Sequence, residues 1–355
     1  MDANDHRPKL GVVLLALIAV AAVTFGITWK YEHSKMAREM AAMEAARPKA
    51  AEPAASAPAG EPPATTKSGK TVAARMHNVL FHFTDRSGAL ILDLNGALVP
   101  TGSNEMPVFD EKSSFAVLVA SAQIAISPAA LSDILNTLVL NKPDAPLKDL
   151  TMTIEDGKLK MKGKLHSKGD VPFQTQGTVA VNPDGRLRIT TEKVKALKIP
   201  VKGMMNLFGI ELASVINTSK IAGMDTDKND LLIDLSTLLP PPHILGKVVA
   251  VRLDKNAIVT TMKGDAAPTE IGPDSGNFMA FRGNQLRFGK LTMTDSDLVV
   301  MDMTPNDPLD WNQNRYQQQL EAGYSKITPK FGLVAFAVDF AKLKNAKNAD
   351  SRPTD

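Results

Sequence analysis

Between residues 150 and 189, apolar side chains recur at every second position through four runs. Leu150, Met152 and Ile154 alternate with threonines. Leu159, Met161 and Leu165 alternate with Lys158, Lys160, Lys162 and Lys164. Val171, Phe173, Val179 and Val181 alternate with Gln174, Gln176 and Thr178, and Leu187 and Ile189 carry the fourth run. A period of two sends alternate side chains to opposite faces of a strand. Asp156-Gly157 suits a tight hairpin, and Asn182-Pro183-Asp184-Gly185 is a second turn signal. Such a stretch must form an antiparallel meander with one apolar and one polar face.

The same period governs much of the rest. Val79, Phe81 and Phe83 alternate before Asp85-Arg86-Ser87-Gly88 breaks the run, which residues 89–99 resume. Residues 115–126 are a further strand of strong β character. Ser127-Pro128 then starts a helix, with Ser as cap and Pro in the first turn. Leu131, Ile134, Leu135 and Leu138 form its apolar face. A second amphipathic helix is expected over residues 201–217, with Val201, Met204, Met205, Phe208, Leu212 and Val215 on one side. Further strands are expected at 231–235, 247–253, 257–262, 278–288 and 290–303, with a last apolar segment at 331–340. The strand at 257–262 should pair with 247–253 across residues 254–256. Asp310 and Gln313 suggest a capping box for a short helix ending near Gly323. The fold class is α+β, a mostly antiparallel β meander wrapped on amphipathic helices.

The first seventy residues read differently. Residues 10–29 are a run of 20 without charge. At about 1.5 Å per residue, a helix of that length spans about 30 Å, the thickness of bilayer hydrocarbon. Trp29, Lys30 and Tyr31 stand where an interfacial belt belongs. A cleaved signal peptide would have a shorter apolar core and a small-residue cleavage site. This run ends in Thr28-Trp29-Lys30, so an uncleaved anchor is expected. Residues 30–47 continue as a juxtamembrane helix with Met36, Met40 and Met43 on one face, either lying on the headgroups or forming a short dimer seam. Residues 47–66 hold seven Ala and five Pro, which favours extended polyproline II and makes residues 48–70 a stalk. Lys30, Lys35, Arg38, Arg47 and Lys49 follow the span while Arg7 and Lys9 precede it, so a literal charge count puts the body in the cytoplasm. The stalk argues for an exported domain, and export is the expectation adopted. The layout is a tail at 1–9, an anchor at 10–29, the helix at 30–47 and the stalk at 48–70. A β-rich domain at 71–263, a C-terminal β/α extension at 264–340 and a disordered tail at 341–355 follow.

Composition excludes several chemistries. The absence of cysteine removes disulfides, thiolate metal sites and cysteine nucleophiles. A net charge of +3 does not argue for a nucleic-acid partner, and 5% aromatics offer no stacking platform. Ser68-Gly69-Lys70-Thr71 ends like a phosphate loop, but Ala64 stands where its first glycine belongs. No histidine pair has metal-ligand helical spacing and no serine sits in a nucleophile elbow. His77 and His82 lie near Asp85, yet residues five apart on a strand face opposite ways. Asp225, Asp227 and Asn229 begin like a calcium loop, but Asp230 and Ser236 occupy the places of its glycine and terminal glutamate. Asp295, Asp297, Asp302, Asp307 and Asp310 could supply paired carboxylates. No catalytic motif emerges, so neither enzyme activity nor a cofactor or metal is expected. Residues 147–202 carry twelve Lys and Arg against six Asp and Glu. Lys158, Lys160, Lys162 and Lys164 share one face, either a solvated guard against aggregation or a surface for anionic headgroups.

The order of helix, four-stranded meander, helix and further strands resembles the tubular lipid-binding (TULIP-like) proteins. Among these it is similar to the bacterial phospholipid-binding family typified by the mycobacterial mannan elongation factor. The residues concerned are Ser127-Pro128, Gly157, Asn182-Pro183-Asp184-Gly185-Arg186-Leu187 and Leu239-Pro240-Pro241-Pro242 before Gly246. They lie between positions 115 and 262; residues 76–114 and 277–340 have no counterpart. The resemblance implies a curved sheet wrapped on a long helix around an apolar slot for acyl chains. Leu131, Ile134, Leu135, Leu138, Met204, Met205, Phe208 and Leu212 would line it, and adaptable methionines suit variable chains. The expected protein is a single-pass protein of a bacterial inner membrane with its body in the periplasm, binding or shuttling a phospholipid-like ligand. The alternative is a structural or assembly module of the envelope with a filled core. A solid core between the helices and the meander decides between them.

Overall fold

The computed structural model describes residues 71–143, 145–166, 170–192, 195–196, 221–239, 241–330 and 332–343. The expected anchor, juxtamembrane helix and stalk lie outside the described residues. So do the helix at 201–217, with Met204, Met205, Phe208 and Leu212, and residues 344–355 of the tail. Among the described residues no helix is long and apolar enough to cross a membrane.

The body is mostly β-sheet. In chain order its elements are β1 (Val72–His82), β2 (Gly88–Pro100), β3 (Phe115–Ile126) and α1 (Pro128–Ile134), which runs into a π turn at Leu135–Val139. Then come β4 (Leu147–Glu155), β5 (Lys158–His166), β6 (Asp170–Val181), β7 (Leu187–Thr191), β8 (Lys195–Ala196), β9 (Met224–Asp227), β10 (Asp230–Ile233) and α2 (Leu235–Leu238). The last group is β11 (Ile244–Leu245), β12 (Lys247–Leu253), β13 (Ile258–Lys263), β14 (Phe278–Phe288), β15 (Leu291–Asp302), β16 (Leu309–Asn312), α3 (Tyr316–Glu321), β17 (Tyr324–Ile327) and β18 (Leu333–Ala337).

Two sheets result. The larger has 11 strands and runs β12-β13-β3-β2-β1-β14-β15-β18-β17, with β11 beside β3 and β16 beside β1. The smaller has 7 and runs β4-β5-β6-β7-β10-β9, with β8 beside β6. The alternating stretch forms the meander β4 to β7. Its first hairpin turns on Asp156 and Gly157, both with positive φ as a type I′ turn requires. The smaller sheet is thus an excursion between β3 and β11, after which the chain returns to the larger sheet.

Residue 263 is not the boundary expected from the sequence. β14 pairs antiparallel with β1, Val72 opposite Gly283, so the C-terminal strands complete the sheet that the first strands begin. β18 joins β15 and β16 joins β1 in parallel, pairings that no local pattern announces.

One hydrophobic core runs through both sheets, from Val72, Leu98 and Phe281 in the larger to Leu150, Met161 and Ile189 in the smaller. The 101–114 loop folds inward and places Phe109 among Phe115, Phe281, Phe288, Trp311 and Tyr316, with ring centroids 4.5–6.3 Å apart. Gln313 ties that loop down by donating to the Phe109 carbonyl at 2.6 Å. The capping box expected at Asp310 is not formed. Asp310 lies within β16, and α3 starts after Arg315, whose side chain makes no capping bond. The tail begins as an ordered turn, with the Lys342 and Leu343 amides donating to the Asp339 carbonyl.

Candidate functional site

Ser127 caps α1 as expected, accepting from the Ala130 amide at 3.1 Å. Of the four slot candidates on this helix, Ile134 is 1% and Leu135 2% exposed. Leu131 is half-buried and packs against the core, and Leu138 is also half-buried. Polar positions of α1 and of its π turn close the outer edge of β4, the edge strand of the smaller sheet. Asn136 donates to the Leu150 carbonyl at 2.7 Å and accepts from the Leu150 amide at 2.9 Å. Ser132 accepts from the Met152 amide at 2.8 Å and donates to the Pro128 carbonyl at 2.8 Å. Residues 132 and 136 are one helical turn apart, so both meet the same strand. Two side chains thereby replace a neighbouring strand at an edge that would otherwise invite pairing.

The lysine row of β5 is largely neutralised. Lys158 pairs with Glu192, Lys160 with Glu155, and Lys164 with Asp149 at 2.6 Å. Lys162 is exposed and makes no ion pair among the described residues. The hydrogen bond from Lys160 holds the Glu155 carboxyl below its ordinary range. Those from Gln176 and Lys158 do the same for Glu192. The row is a salt-laced outer face rather than a field of unpaired cations.

The flagged acidic residues are drawn into structure. Asp225 and Asp227 sit on the β9–β10 hairpin, opposite Arg186 at 3.9 Å and Arg188 at 3.5 Å. Asp297 pairs with Arg282 at 3.1 Å. Asp302 accepts from Asn277 at 3.0 Å and from the Thr304 amide at 2.7 Å. His82 meets Asp310 rather than Asp85. The ring Nε2 and Oδ1 lie 2.7 Å apart, an ion-pair distance, but are misaligned for a hydrogen bond. His77 lies against Phe278 with ring centroids 6.0 Å apart, away from His82. Burial, with Asp339 nearby, pushes the carboxyls of Asp302 and Asp307 up. Among the described residues no group of three His, Asp or Glu side chains is placed to hold a metal ion.

A groove of about 660 Å³ lies where the two sheets meet. Leu118 of β3, the 184–186 turn before β7, Asp234 and Ser236 at α2, residues 245–247 and 249, and residues 263–265 line it. The turn and the Gly246 segment singled out in the sequence therefore come together here. The Asn182 and Gly185 amides close the turn on Arg186 and Asn182, at 2.8 and 2.9 Å. Gly185 has φ +88°, and a Cβ there would stand 2.7 Å from the Cβ of Lys247. Its carbonyl accepts from the Val248 amide at 3.3 Å, joining the two sheets.

Two of the three acidic residues in the groove are engaged locally. Asp184 accepts from the Arg186 amide and from its Nε at 2.7 Å, and these bonds hold its carboxyl low. Burial raises the Asp234 carboxyl, but the bonds from Ser236 and Thr237 outweigh it and leave it low. Lys247 and Lys263 are both exposed and form no ion pair among the described residues. The sequence reading missed them because neither belongs to a run of like charge. The remaining signal was the β12–β13 pairing itself.

No protein-family model, no curated protein and no solved structure matches this chain.

Proposed function

We propose that this chain is a membrane-anchored module of a bacterial envelope whose folded body is a filled scaffold that packs on partner proteins. The anchor and stalk read from residues 10–29 and 48–70 support a body held away from an inner membrane, on its periplasmic side. The observation that carries the reading is the packing of the candidate slot walls. Ile134 of α1, Leu135 of the π turn, and Leu150, Met152, Leu159, Met161 and Ile189 on the inner face of the meander are buried, and Leu131 and Leu138 are half-buried. Side chains lining an open slot would keep surface accessible to a water-sized probe. Walls this buried belong to close-packed interior.

The surface best suited to a partner is the edge strand β17. All four of its residues are exposed, Ile327 at 76%. Tyr324 stacks on Phe336 at 4.4 Å, with Lys326 over both rings. An edge strand can accept another strand along its backbone. Lys326 and the shortness of β17 guard it against indiscriminate pairing. Ile327→Asp is expected to lower the apparent mass of the complex released by mild solubilisation, read by native gel migration, with Tm unchanged. Unchanged migration would argue against assembly through this edge.

A second reading is phospholipid carriage, as the resemblance to TULIP-like proteins implies. The observed order of a Ser127-capped helix followed by a four-stranded meander favours it. It draws on Met204, Met205, Phe208 and Leu212, which lie outside the described residues.

A further inference from the structure

We propose that the groove between the sheets binds a phosphate-type anion through Lys247 and Lys263. Its first support is an opposed pair of like charges. In the antiparallel β12–β13 ladder Lys247 stands directly opposite Lys263. Side chains so placed share a face with Cβ atoms about 4.5–5.5 Å apart, and like charges there destabilise a sheet. Among the described residues neither lysine forms an ion pair that would offset that repulsion, although the exposed Asp265 lines the same groove. An anion between the two ammonium groups would, by charge-assisted hydrogen bonds from both.

The second support is how the pair is made. From Leu253 opposite Ile258 back to Ala250 opposite Thr261 the register is regular. It then slips by one residue, so that Val248 faces Met262 and Lys247 faces Lys263. Without that bulge Lys247 would face Gly264, and the charges would be offset. Bulges commonly re-aim a side chain beside a functional site. The Lys247 stem is also fixed in place beneath the Gly185 turn.

The third support is what flanks the pair. Of the other charges in the groove, Arg186 is paired with Asp184, Asp234 is held by its own turn, and Asp265 is exposed two residues after Lys263, so among the described residues the two lysines are its cations without an ion pair. Leu245 and Val249 are 40% and 47% exposed on either side of Lys247. Apolar rims about a cationic pair suit the phosphate of an anionic lipid, whereas the cations alone would serve free phosphate. The shared chemistry is a net-negative phosphate group. This site stands whether or not the core is filled.

The test uses the full chain in non-ionic micelles, labelled with ¹⁵N-glycine. The Gly185, Gly246 and Gly264 amides report on the groove during titration with inorganic phosphate, a short-chain phosphatidylglycerol and a phosphatidylcholine of equal chain length. Saturable shifts at these three amides are expected with phosphate, phosphatidylglycerol or both. Shifts with phosphate alone identify a free-phosphate site, and shifts with phosphatidylglycerol alone a lipid headgroup site. Lys247→Gln/Lys263→Gln is expected to weaken binding at least tenfold while leaving Tm unchanged or higher, because two opposed charges are removed. No response to any probe, an equal response to the two lipids, or unchanged affinity in the double variant would each overturn the proposal. So would a fall in Tm of several degrees, which would make the lysines structural.

Discussion

Gly185 shows how one residue can join two sheets. Its positive φ and its close approach to Lys247 both exclude a side chain. Gly185→Ala is therefore expected to cost about 1–3 kcal/mol, the usual range for a strained backbone position. Urea denaturation should show a lower midpoint with an unchanged slope; a midpoint matching the parent would mean that the turn is not strained. That a turn lies here is legible from Asn182-Pro183-Asp184-Gly185. That it rests on Lys247, 62 positions later, is not, because it depends on how the sheets meet. Asp310 illustrates the opposite error. Its spacing from Gln313 mimics a capping box, yet its carboxylate faces His82 and accepts from the Ala341 amide at 3.0 Å. Contacts from distant parts of the chain outweigh a local capping preference.

Among the elements, strict alternation made β4 to β7 and their hairpin turns readable, as did the long runs of β3, β14 and β15. β11, β16 and β17 have two to four residues each, too few for a period to stand out. The role of α1 as a closing edge was equally hidden, because its face toward β4 is polar. Asn136→Ala should leave the amide and carbonyl of Leu150 without their partner. An unsatisfied buried polar group costs about 1–3 kcal/mol, so the midpoint of denaturation should fall accordingly. An undiminished midpoint would mean that water replaces Asn136. Acid should weaken the smaller sheet before the larger. Glu155, Asp170, Asp184 and Glu192 have carboxyls held low by their hydrogen bonds, to Lys160, His166, Arg186 and Gln176 foremost. Their stabilisation is present above the unfolded carboxylate pKa, about 4, and is lost as pH falls through the lower folded values. Asp302 and Asp307 have carboxyls raised by burial. Their contribution has the opposite sign: it is full below the unfolded pKa and disappears as pH rises through the folded values. Hydrogen exchange compared at pH 7 and below pH 4 is expected to show β5, β6 and β7 losing protection before β15 and β16. Simultaneous loss would contradict this division.

At the scale of the molecule, a local pattern can reveal strands but not the order in which they pair. β1 meets β14 across some two hundred positions, and the smaller sheet is spliced into the middle of the larger. For that reason the local pattern suggests a boundary at 263, which hydrogen bonds cross in the fold. The same limit applies to the core. Apolar faces were legible on α1 and the meander, but whether they enclose a slot or fill it depends on packing. Their burial underlies the account of a filled scaffold. Native mass spectrometry tests it most directly, on residues 64–355, which form one compact unit, expressed without the anchor and purified without detergent. The bare mass of the fragment is expected, unchanged after incubation with phosphatidylcholine vesicles. A phospholipid carried at one per chain, and retained equally by Lys247→Gln/Lys263→Gln, could not come from the surface groove. It would place a ligand inside the body and contradict the filled core.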